Sequence, residues 1–229
     1  MKQYICIDIG GTEIKHGVID GSAQFLAKGK TPTEAWKGGR SILEKAVGIA
    51  SDYQRQWKAE GVCVSTAGMV DVEKGEIFYS APLIPGYTGT KIKARMESEL
   101  GLPCEVENDV NCAGLAEAVS GAAAGCGLAL CLTIGTGIGG CIVMDGKVFH
   151  GFSGSACEVG YMHMDGSDFQ TLGAASILVR KVAAARNEPE EEWDGRRIFE
   201  LAKEGDSVCV RLSMRCARCW ERVYPISVM

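Results

Sequence analysis

Residues 4 to 15 read Tyr-Ile-Cys-Ile-Asp-Ile-Gly-Gly-Thr-Glu-Ile-Lys, and this stretch decides the fold. The run from Tyr4 to Ile9 is apolar apart from Asp8 and predicts a buried strand. Gly10 and Gly11 then predict a tight turn, and Ile14 to Asp20 predicts the return strand of a hairpin. The chain therefore begins with a β-hairpin whose first strand ends at an acidic residue beside two glycines.

This acid-glycine turn has two interpretations. Gly10 and Gly11 allow backbone amides to approach a phosphate without interference from a Cβ atom, and the Thr12 hydroxyl adds a donor. Asp8 is suited to holding Mg²⁺ through water, because Mg²⁺ bound with phosphates usually keeps water ligands. Glycine-rich hairpin turns are also common without any ligand, so the turn alone leaves both interpretations open.

A second strand-turn-strand pattern follows later in the chain. Leu128 to Ile134 predicts an apolar strand, Gly135 to Gly140 a glycine loop, and Cys141 to Met144 a further strand. The loop matches G-x-G-x-x-G, which raises the possibility of a dinucleotide-binding site. That fingerprint requires a helix directly after the glycines, whereas a strand is predicted here, so the pattern disfavours a nicotinamide cofactor.

Strands and helices alternate between and beyond these two hairpins. Further strands are predicted at Gln24–Thr31, Val62–Ser65 and Cys104–Glu107, and helices at Ile42–Trp57, Thr90–Leu100, from Asp109, at Leu172–Arg186 and at Asp194–Lys203. This alternation predicts an α/β fold.

Residues 107 to 111, Glu-Asn-Asp-Val-Asn, lie where a strand passes into a helix. Asn and Asp are favoured at helix N-caps, and capping is the commoner role of such residues. Ligands of α/β proteins also bind at the carboxyl ends of strands, so Asp109 is a candidate general base. The residues alone leave both roles open.

Taken in order, these segments resemble the ROK family of sugar kinases from Tyr4 to about Asp206. The motifs that carry the resemblance are residues 8–15, Ser65–Asp71, Glu107–Asn111, Gly135–Gly140 and Gly154–Tyr161. The resemblance implies an actin-like ATPase (ribonuclease H-like) fold of two lobes, with residues 1–118 in the first lobe and residues 119–210 in an incomplete second lobe. It also implies an enzyme that uses ATP and Mg²⁺ to phosphorylate a hexose or amino sugar, at the C6 hydroxyl.

The resemblance also assigns roles to individual residues. Asp109 becomes the general base, Asn108 and Glu158 bind other sugar hydroxyls, and Gly68 brings backbone close to the sugar. The expected phosphate-binding residues are Asp8, Gly10, Gly11, Thr12, Lys15, Gly135, Thr136 and Gly137, with Mg²⁺ held at Asp8 through water.

A structural zinc ion is not expected. Many members of the family have His at the position of Tyr161, followed by a cysteine-rich zinc segment that this chain lacks, so the chain resembles a zinc-free branch. Cys216 and Cys219 have metal-like spacing but no partner pair, and His163 has no cluster of ligands around it. Most of the 11 cysteines lie in apolar strand-like or small-residue helical runs and are expected to be reduced and buried, among them Cys6, Cys63, Cys131 and Cys141.

Composition narrows the class of partner. A net charge of -5 is the opposite of what a nucleic-acid binder or a polybasic membrane binder requires. Neither a run long enough to span a bilayer nor a signal-peptide core is present, which predicts a cytoplasmic protein whose partners are a sugar and ATP. The family resemblance adds a homodimer for a full-length form.

The last residues, Arg211 to Met229, show neither helical nor alternating periodicity and are expected to be aberrant. Permitted codons for them can be read two bases later as AIDEMCAVLGEGISNICYV, which has helix-then-strand character, so a frameshift near Val210 is one hypothesis and a divergent natural ending the other. Two alternatives to an active kinase stay open. They are a sugar-sensing regulator of the same family without its DNA-binding domain, and an inactive kinase fragment.

Overall fold

The computed structural model describes residues 1–81, 84–164 and 166–228, and for residues 224–228 it describes the backbone. The chain divides into two compact units. Unit 1 contains Met1–Ala113 and Phe152–Gly154, and unit 2 contains Gly114–Gly151 and Ser155–Met229. Both units combine strands and helices, which confirms the predicted α/β class.

Unit 1 is built on alternating strands and helices. Its elements are β1 (Gln3–Ile9), β2 (Glu13–Asp20), β3 (Phe25–Pro32), a 3-10 turn (Ala35–Lys37), α1 (Gly39–Gln56), β4 (Gly61–Thr66), β5 (Met69–Asp71), β6 (Glu76–Tyr79), α2 (Ile92–Leu100), β7 (Cys104–Asn108) and the start of α3 (Asp109–Ser120). The hairpin predicted from the opening sequence is β1 and β2, which pair antiparallel.

The unit 1 sheet has the strand order β3-β2-β1-β4-β7, and β5 pairs with β6 in a separate hairpin. β1 and β4 are parallel, as are β4 and β7. Ile5, Ile7 and Ile9 alternate along β1 and are buried in the same core as Ile42 and Ala46 of α1. This alternation is typical of a strand with one face on the core.

The registers bring one row of polar residues together on the other face of the sheet. Asp8 of β1 lies opposite Ser65 of β4, and Ser65 lies opposite Glu107 of β7. Lys15 of β2 lies opposite Asp8 on the remaining side. Because parallel strands end at the same edge, the segments that follow β1, β4 and β7 begin side by side.

Unit 2 holds a small sheet and four of the helices. After the end of α3 its elements are β8 (Leu128–Ile134), β9 (Ile138–Met144), β10 (Lys147–Val148), a 3-10 turn (Val159–Tyr161), β11 (His163–Met164), β12 (Ser167–Asp168), α4 (Phe169–Gly173), α5 (Ala175–Arg186), a 3-10 turn (Glu190–Glu192), α6 (Gly195–Lys203) and α7 (Ser207–Val228). The helix predicted from Leu172 to Arg186 is interrupted, because Ala174 has extended backbone angles.

The final residues form helix α7, so the expectation that residues 211–229 lack helical periodicity is wrong for residues 211–228. Leu212 and Cys216 are buried in one core with residues of α5 and α6, and Val223 is buried in a second core with Phe169. These spacings of four and seven residues place the side chains on one helix face. Met229 lies outside the described residues, and the frameshift hypothesis stays a prediction.

The cysteines divide between buried and accessible positions. None of the 11, all of which lie in the described part of the chain, forms a disulfide, and Cys141 is buried as expected. Cys63 is exposed and Cys6 and Cys131 are half-buried, which corrects the expectation that these three are buried fillers. Val62 and Val64 of β4 take the core side, so Cys63 points to the opposite face. Among the described residues, no helix is both long and apolar enough to span a membrane.

Candidate functional site

The first glycine loop joins β1 to β2 and is fixed by Thr33. The Thr33 hydroxyl donates to the Gly10 carbonyl oxygen at 2.6 Å, and the Thr33 amide donates to the Thr12 carbonyl oxygen at 2.9 Å. A Cβ atom on Gly10 would lie 2.9 Å from the Glu13 carbonyl oxygen, so this position requires glycine. A Cβ atom on Gly11 would meet nothing within 4 Å, so the chain leaves space there for a ligand.

Charged groups of both signs lie beside this loop. The Ser65 hydroxyl donates to Asp8 Oδ1 at 2.8 Å, which fixes the Asp8 carboxylate. Lys15 lies opposite Asp8 on β2 and is exposed. Its ammonium group forms no hydrogen bond or ion pair with the described part of the chain, so it is available to an anionic ligand.

Asn108 links the end of β7 to the start of α3. Its Oδ1 accepts from the amides of Val110 at 2.9 Å and Asn111 at 3.1 Å, which is helix capping. Its Nδ2 donates to the Gly68 carbonyl oxygen at 2.9 Å and to Asp109 Oδ1 at 3.1 Å. Two acceptor sites and two donors are the full capacity of an Asn amide. Asn108 therefore caps the helix and holds Asp109 at the same time.

Glu107 stabilises the turn between β7 and α3 with two hydrogen bonds. Its Oε1 accepts from the Asn108 amide at 2.8 Å and from Asn111 Nδ2 at 2.9 Å. The sequence motif is thus one hydrogen-bonded turn in which the capping and functional interpretations coincide.

Asp109 begins α3 and is accessible to solvent. Partial desolvation by the surrounding protein raises the pKa of its carboxyl group, and the negative charge of Asp8 raises it further. Hydrogen bonds from the Val110 amide and from Asn108 oppose the rise in pKa. The net upward shift in pKa makes Asp109 a stronger base than an ordinary aspartate.

Gly68 lies between β4 and β5, where the chain turns away from the sheet. Its φ of +97° is unfavourable for other residues, and a Cβ atom would lie 2.9 Å from the Tyr79 carbonyl oxygen. Glycine at this position therefore allows the turn, and the Asn108 bond fixes its carbonyl oxygen.

A buried polar pair beneath the site has no signal in the local sequence. The hydroxyls of Thr66 and Tyr87 are hydrogen-bonded, and both residues are buried. Burial raises the pKa of Tyr87 to about 12, and the charge of Asp109 adds to the rise. Tyr87 is therefore neutral, and it lies close enough to Asp109 for the Asp109 charge to shift the pKa of Tyr87. Ser65, Thr33 and Tyr87 join the site through contacts distant in sequence, which no local pattern indicates.

Within unit 2, the second glycine loop connects β8 to β9. The Ser176 hydroxyl donates to the Thr136 carbonyl oxygen at 2.6 Å, and the Ser176 amide donates to the Gly135 carbonyl oxygen at 3.2 Å. A Cβ atom on Gly137 would lie 2.3 Å from Gln170 Oε1. The loop is shorter than predicted, because β9 begins at Ile138. A strand follows the glycines, which agrees with the argument against a dinucleotide fingerprint.

The segment around Glu158 lies against this loop within unit 2. A Cβ atom on Gly140 would lie 2.6 Å from the Cys157 carbonyl oxygen, and one on Gly160 would lie 2.3 Å from the Ile138 carbonyl oxygen. These glycines let the Glu158 turn approach β9 closely. Among the described residues, no group of three or more His, Cys, Asp and Glu side chains is arranged to hold a metal ion.

Each unit thus contains some of the site residues that the sequence predicted. Unit 1 brings together the Gly10 loop, Asp8, Gly68, Asn108 and Asp109 at one sheet edge. Unit 2 brings together Gly135, Thr136 and Gly137 with the segment that contains Glu158.

Known proteins with this sequence pattern and fold were identified by comparison. A family model described as the ROK family matches residues 4–221. An uncharacterized protein of Clostridium perfringens is 47% identical over 209 residues, which cover 91% of this chain and 71% of that protein. A beta-glucoside kinase of Listeria monocytogenes is 33% identical over 213 residues, covering 90% of this chain and 71% of the kinase.

A solved structure of a ROK family member also matches the fold of this chain. The crystal structure of a ROK family glucokinase from Streptomyces griseus, in complex with glucose and AMPPNP, matches with a TM-score of 0.80 and 28% identity. The match covers 95% of this chain and 76% of the glucokinase. Structures of such kinases have the actin-like ATPase fold, so the predicted actin-like fold is confirmed, and the incompleteness of the second lobe stays a prediction.

Proposed function

The chain belongs to the ROK family, and from this membership and the Asp109 site we propose that it is an ATP-dependent sugar kinase. The reaction is transfer of the γ-phosphoryl group of ATP to the C6 hydroxyl of a hexose or amino sugar. The observation that carries the proposal is Asp109 itself, an accessible carboxylate with a raised pKa, held by Asn108 at the edge where β1, β4 and β7 end.

In this proposal Asp109 acts as the general base. The sugar hydroxyl loses its proton to the Asp109 carboxylate as its oxygen forms a bond to the γ-phosphorus, and the bond to the bridging oxygen breaks to release ADP. A positioned base contributes about 10²- to 10⁴-fold in rate. Asn108 positions the base and the Gly68 carbonyl. A direct contact from Asn108 to a sugar hydroxyl requires one of its hydrogen bonds to open.

The residues of the first loop suit phosphate and Mg²⁺. Gly11 offers open space, the Thr12 hydroxyl and the Lys15 ammonium offer donors, and Lys15 is exposed beside Asp8. Asp8 would hold Mg²⁺ through water with the oxygen that Ser65 leaves unused. The ion supplies charge neutralisation on the phosphates when bound.

For unit 2 we propose two further contacts. Gly135, Thr136 and Gly137 line the phosphate site of this loop, and the amides of Thr136 and Gly137 donate to phosphate oxygens. The Gly135 amide already donates to the Gly137 carbonyl oxygen at 2.8 Å and holds the loop closed, while Ser176 binds the Gly135 and Thr136 carbonyl oxygens. Glu158 accepts hydrogen bonds from sugar hydroxyls. Glu158→Gln is expected to raise the KM for sugar more than it lowers kcat, because uniform binding contacts act mainly on KM.

The proposal is tested by sugar-dependent ADP release with MgATP over a panel of glucose, N-acetylglucosamine, N-acetylmannosamine and a β-glucoside. A hexose that supports turnover is then compared with its 6-deoxy form, which should support none. Asp52→Asn, on the exposed face of α1, serves as the carboxylate control and should retain activity.

The possible outcomes separate the proposed functions. ADP release with at least one sugar, lost in the 6-deoxy form, supports a 6-kinase. Turnover with the 6-deoxy sugar would show that a hydroxyl other than the C6 hydroxyl accepts the phosphoryl group. Sugar binding without ADP release across the panel contradicts the kinase and favours the sugar-sensing or inactive interpretation.

A further inference from the structure

Two cysteines face each other across neighbouring strands of the unit 1 sheet. Cys6 of β1 lies directly opposite Cys63 of β4 in the parallel register. The two thiols therefore lie close enough for each to shift the pKa of the other. Cys63 is exposed and Cys6 is half-buried, so a small reagent can reach the pair from the face of the sheet opposite the α1 core.

The interaction between the two thiols makes them chemically different. It lowers the pKa of Cys63 and raises that of Cys6, while burial and the charge of Glu105 act against the fall in pKa at Cys63. The thiolate is the nucleophilic form of cysteine, so the accessible member of the pair is also the more reactive one.

The strand spacing permits a bond between the two sulfurs. Neighbouring strands lie about 4.7–4.9 Å apart, which falls within the ~4.4–6.8 Å between Cα atoms that disulfides span. The other nearby thiols are placed differently. Cys104 is buried on the core face of β7, and Cys112 lies on helix α3 rather than on a neighbouring strand.

We propose that Cys6 and Cys63 form a redox-active dithiol that hydroperoxides oxidise to a reversible disulfide. The Cys63 thiolate attacks the peroxide, giving Cys63 sulfenic acid and hydroxide. The Cys6 sulfur then attacks the sulfenic sulfur, so that a disulfide forms and water leaves. In total, two thiols and one hydrogen peroxide become one disulfide and two waters.

The pair is close to the proposed kinase site. Asp8 and Ser65 follow two residues later on the same strands and the same face. A covalent link one row away fixes β1 against β4, and we expect it to lower turnover. That effect rests on the proposed function, whereas formation of the disulfide does not.

The direct test is peptide mapping of the full chain treated at pH 7 with equimolar hydrogen peroxide and then blocked with N-ethylmaleimide. Trypsin releases Cys6 within residues 3–15 and Cys63 within residues 59–74, and each peptide contains a single cysteine. The expected result is a linked pair of these peptides that separates with dithiothreitol. Cys126→Ser, an exposed control, should leave the linkage unchanged.

Two variants and a labelling rate test the assigned roles. Cys6→Ser and Cys6→Ala should both stop at Cys63 sulfenic acid, which dimedone traps. Cys63 should react with N-ethylmaleimide about threefold faster than an unperturbed thiol at pH 7. A pKa of about 7 raises the thiolate fraction about fifteenfold, and lower intrinsic nucleophilicity reverses about fivefold of that gain.

Three results would overturn the proposal. Both peptides could remain as maleimide adducts while Cys126 is oxidised, Cys63 could join a cysteine other than Cys6, or Cys63 could be oxidised beyond the sulfenic state with Cys6 still free. Each is read from mass alone, so a failure of the dithiol is distinct from a failure of the kinase assignment.

Discussion

Replacing Asn108 separates the support of helix α3 from the control of Asp109. Asn108→Ala removes all four hydrogen bonds of the side chain. Loss of an N-cap costs about 1 kcal/mol, and loss of the bond to the half-buried turn at Gly68 costs about 1 kcal/mol more. The free energy of unfolding should therefore fall by about 2 kcal/mol. For a unit of about 110 residues this lowers the Tm by roughly 8 °C.

Asn108→Asp should retain the helix cap but change the pKa of Asp109. An aspartate oxygen still accepts from Val110 and Asn111, so the cap survives and the loss of stability is about half as large. A second carboxylate beside Asp109 then raises the pKa of Asp109 further. Because the ionised form is the base, the acid limb of the kcat profile should move to higher pH.

Thermal melting and kcat measured from pH 4 to pH 8 test both variants. Asp194→Ala is the matched control, since Asp194 caps α6 by accepting from the Arg197 amide at 2.7 Å. It should lower the Tm without moving the acid limb. An acid limb that stays in place in Asn108→Asp would refute the proposed coupling between Asn108 and Asp109.

Three further substitutions test the backbone and the last helix. Gly68→Ala should destabilise by about 1–3 kcal/mol, because φ is +97° and the new Cβ meets the Tyr79 carbonyl oxygen. Gly11→Ala should melt like the wild type but raise the KM for ATP, and an equal loss of stability in both alanine variants would contradict this difference. Leu212→Ala should cost about 2–5 kcal/mol, since Leu212 is buried in the unit 2 core, and an unchanged melt would show that α7 does not pack there.

The parts of the fold that follow from local pattern were predictable. The β1–β2 hairpin, α1 and β8 were predicted from alternation, helical spacing and apolar runs, and β8 begins and ends where expected. Helix α7 was not predicted, because few strongly apolar residues mark its buried face and arginines lie between them in the sequence. The buried face consists of Cys209, Leu212, Cys216 and Val223. Cysteine is a weak apolar signal, so the helical period was missed.

The candidate site divides in the same way. Asp8, the first glycine loop and Asp109 were visible as motifs, since each occupies a strand end or a turn with a recognisable composition. Ser65 was visible as the start of a motif, but its bond to Asp8 was not, because that bond depends on strand register. Tyr87 was not visible, because its role depends on burial beneath Asp109. The sequence left the motif at Asn108 ambiguous for a physical reason. The Asn108 side chain both caps helix α3 and holds Asp109.

The most direct test of the central claim is kcat for sugar phosphorylation by Asp109→Asn beside the wild type, with thermal melting of both at pH 7. Folding favours the protonated form of Asp109, since its pKa is raised in the folded state. The ionised carboxylate therefore costs stability above that pKa, and the Asn variant should melt no lower than the wild type. The account predicts a loss of about 10²–10⁴ in kcat in this stably folded variant. Retention of more than about a tenth of the wild-type kcat, against that expected loss, would contradict the role of Asp109 as the base.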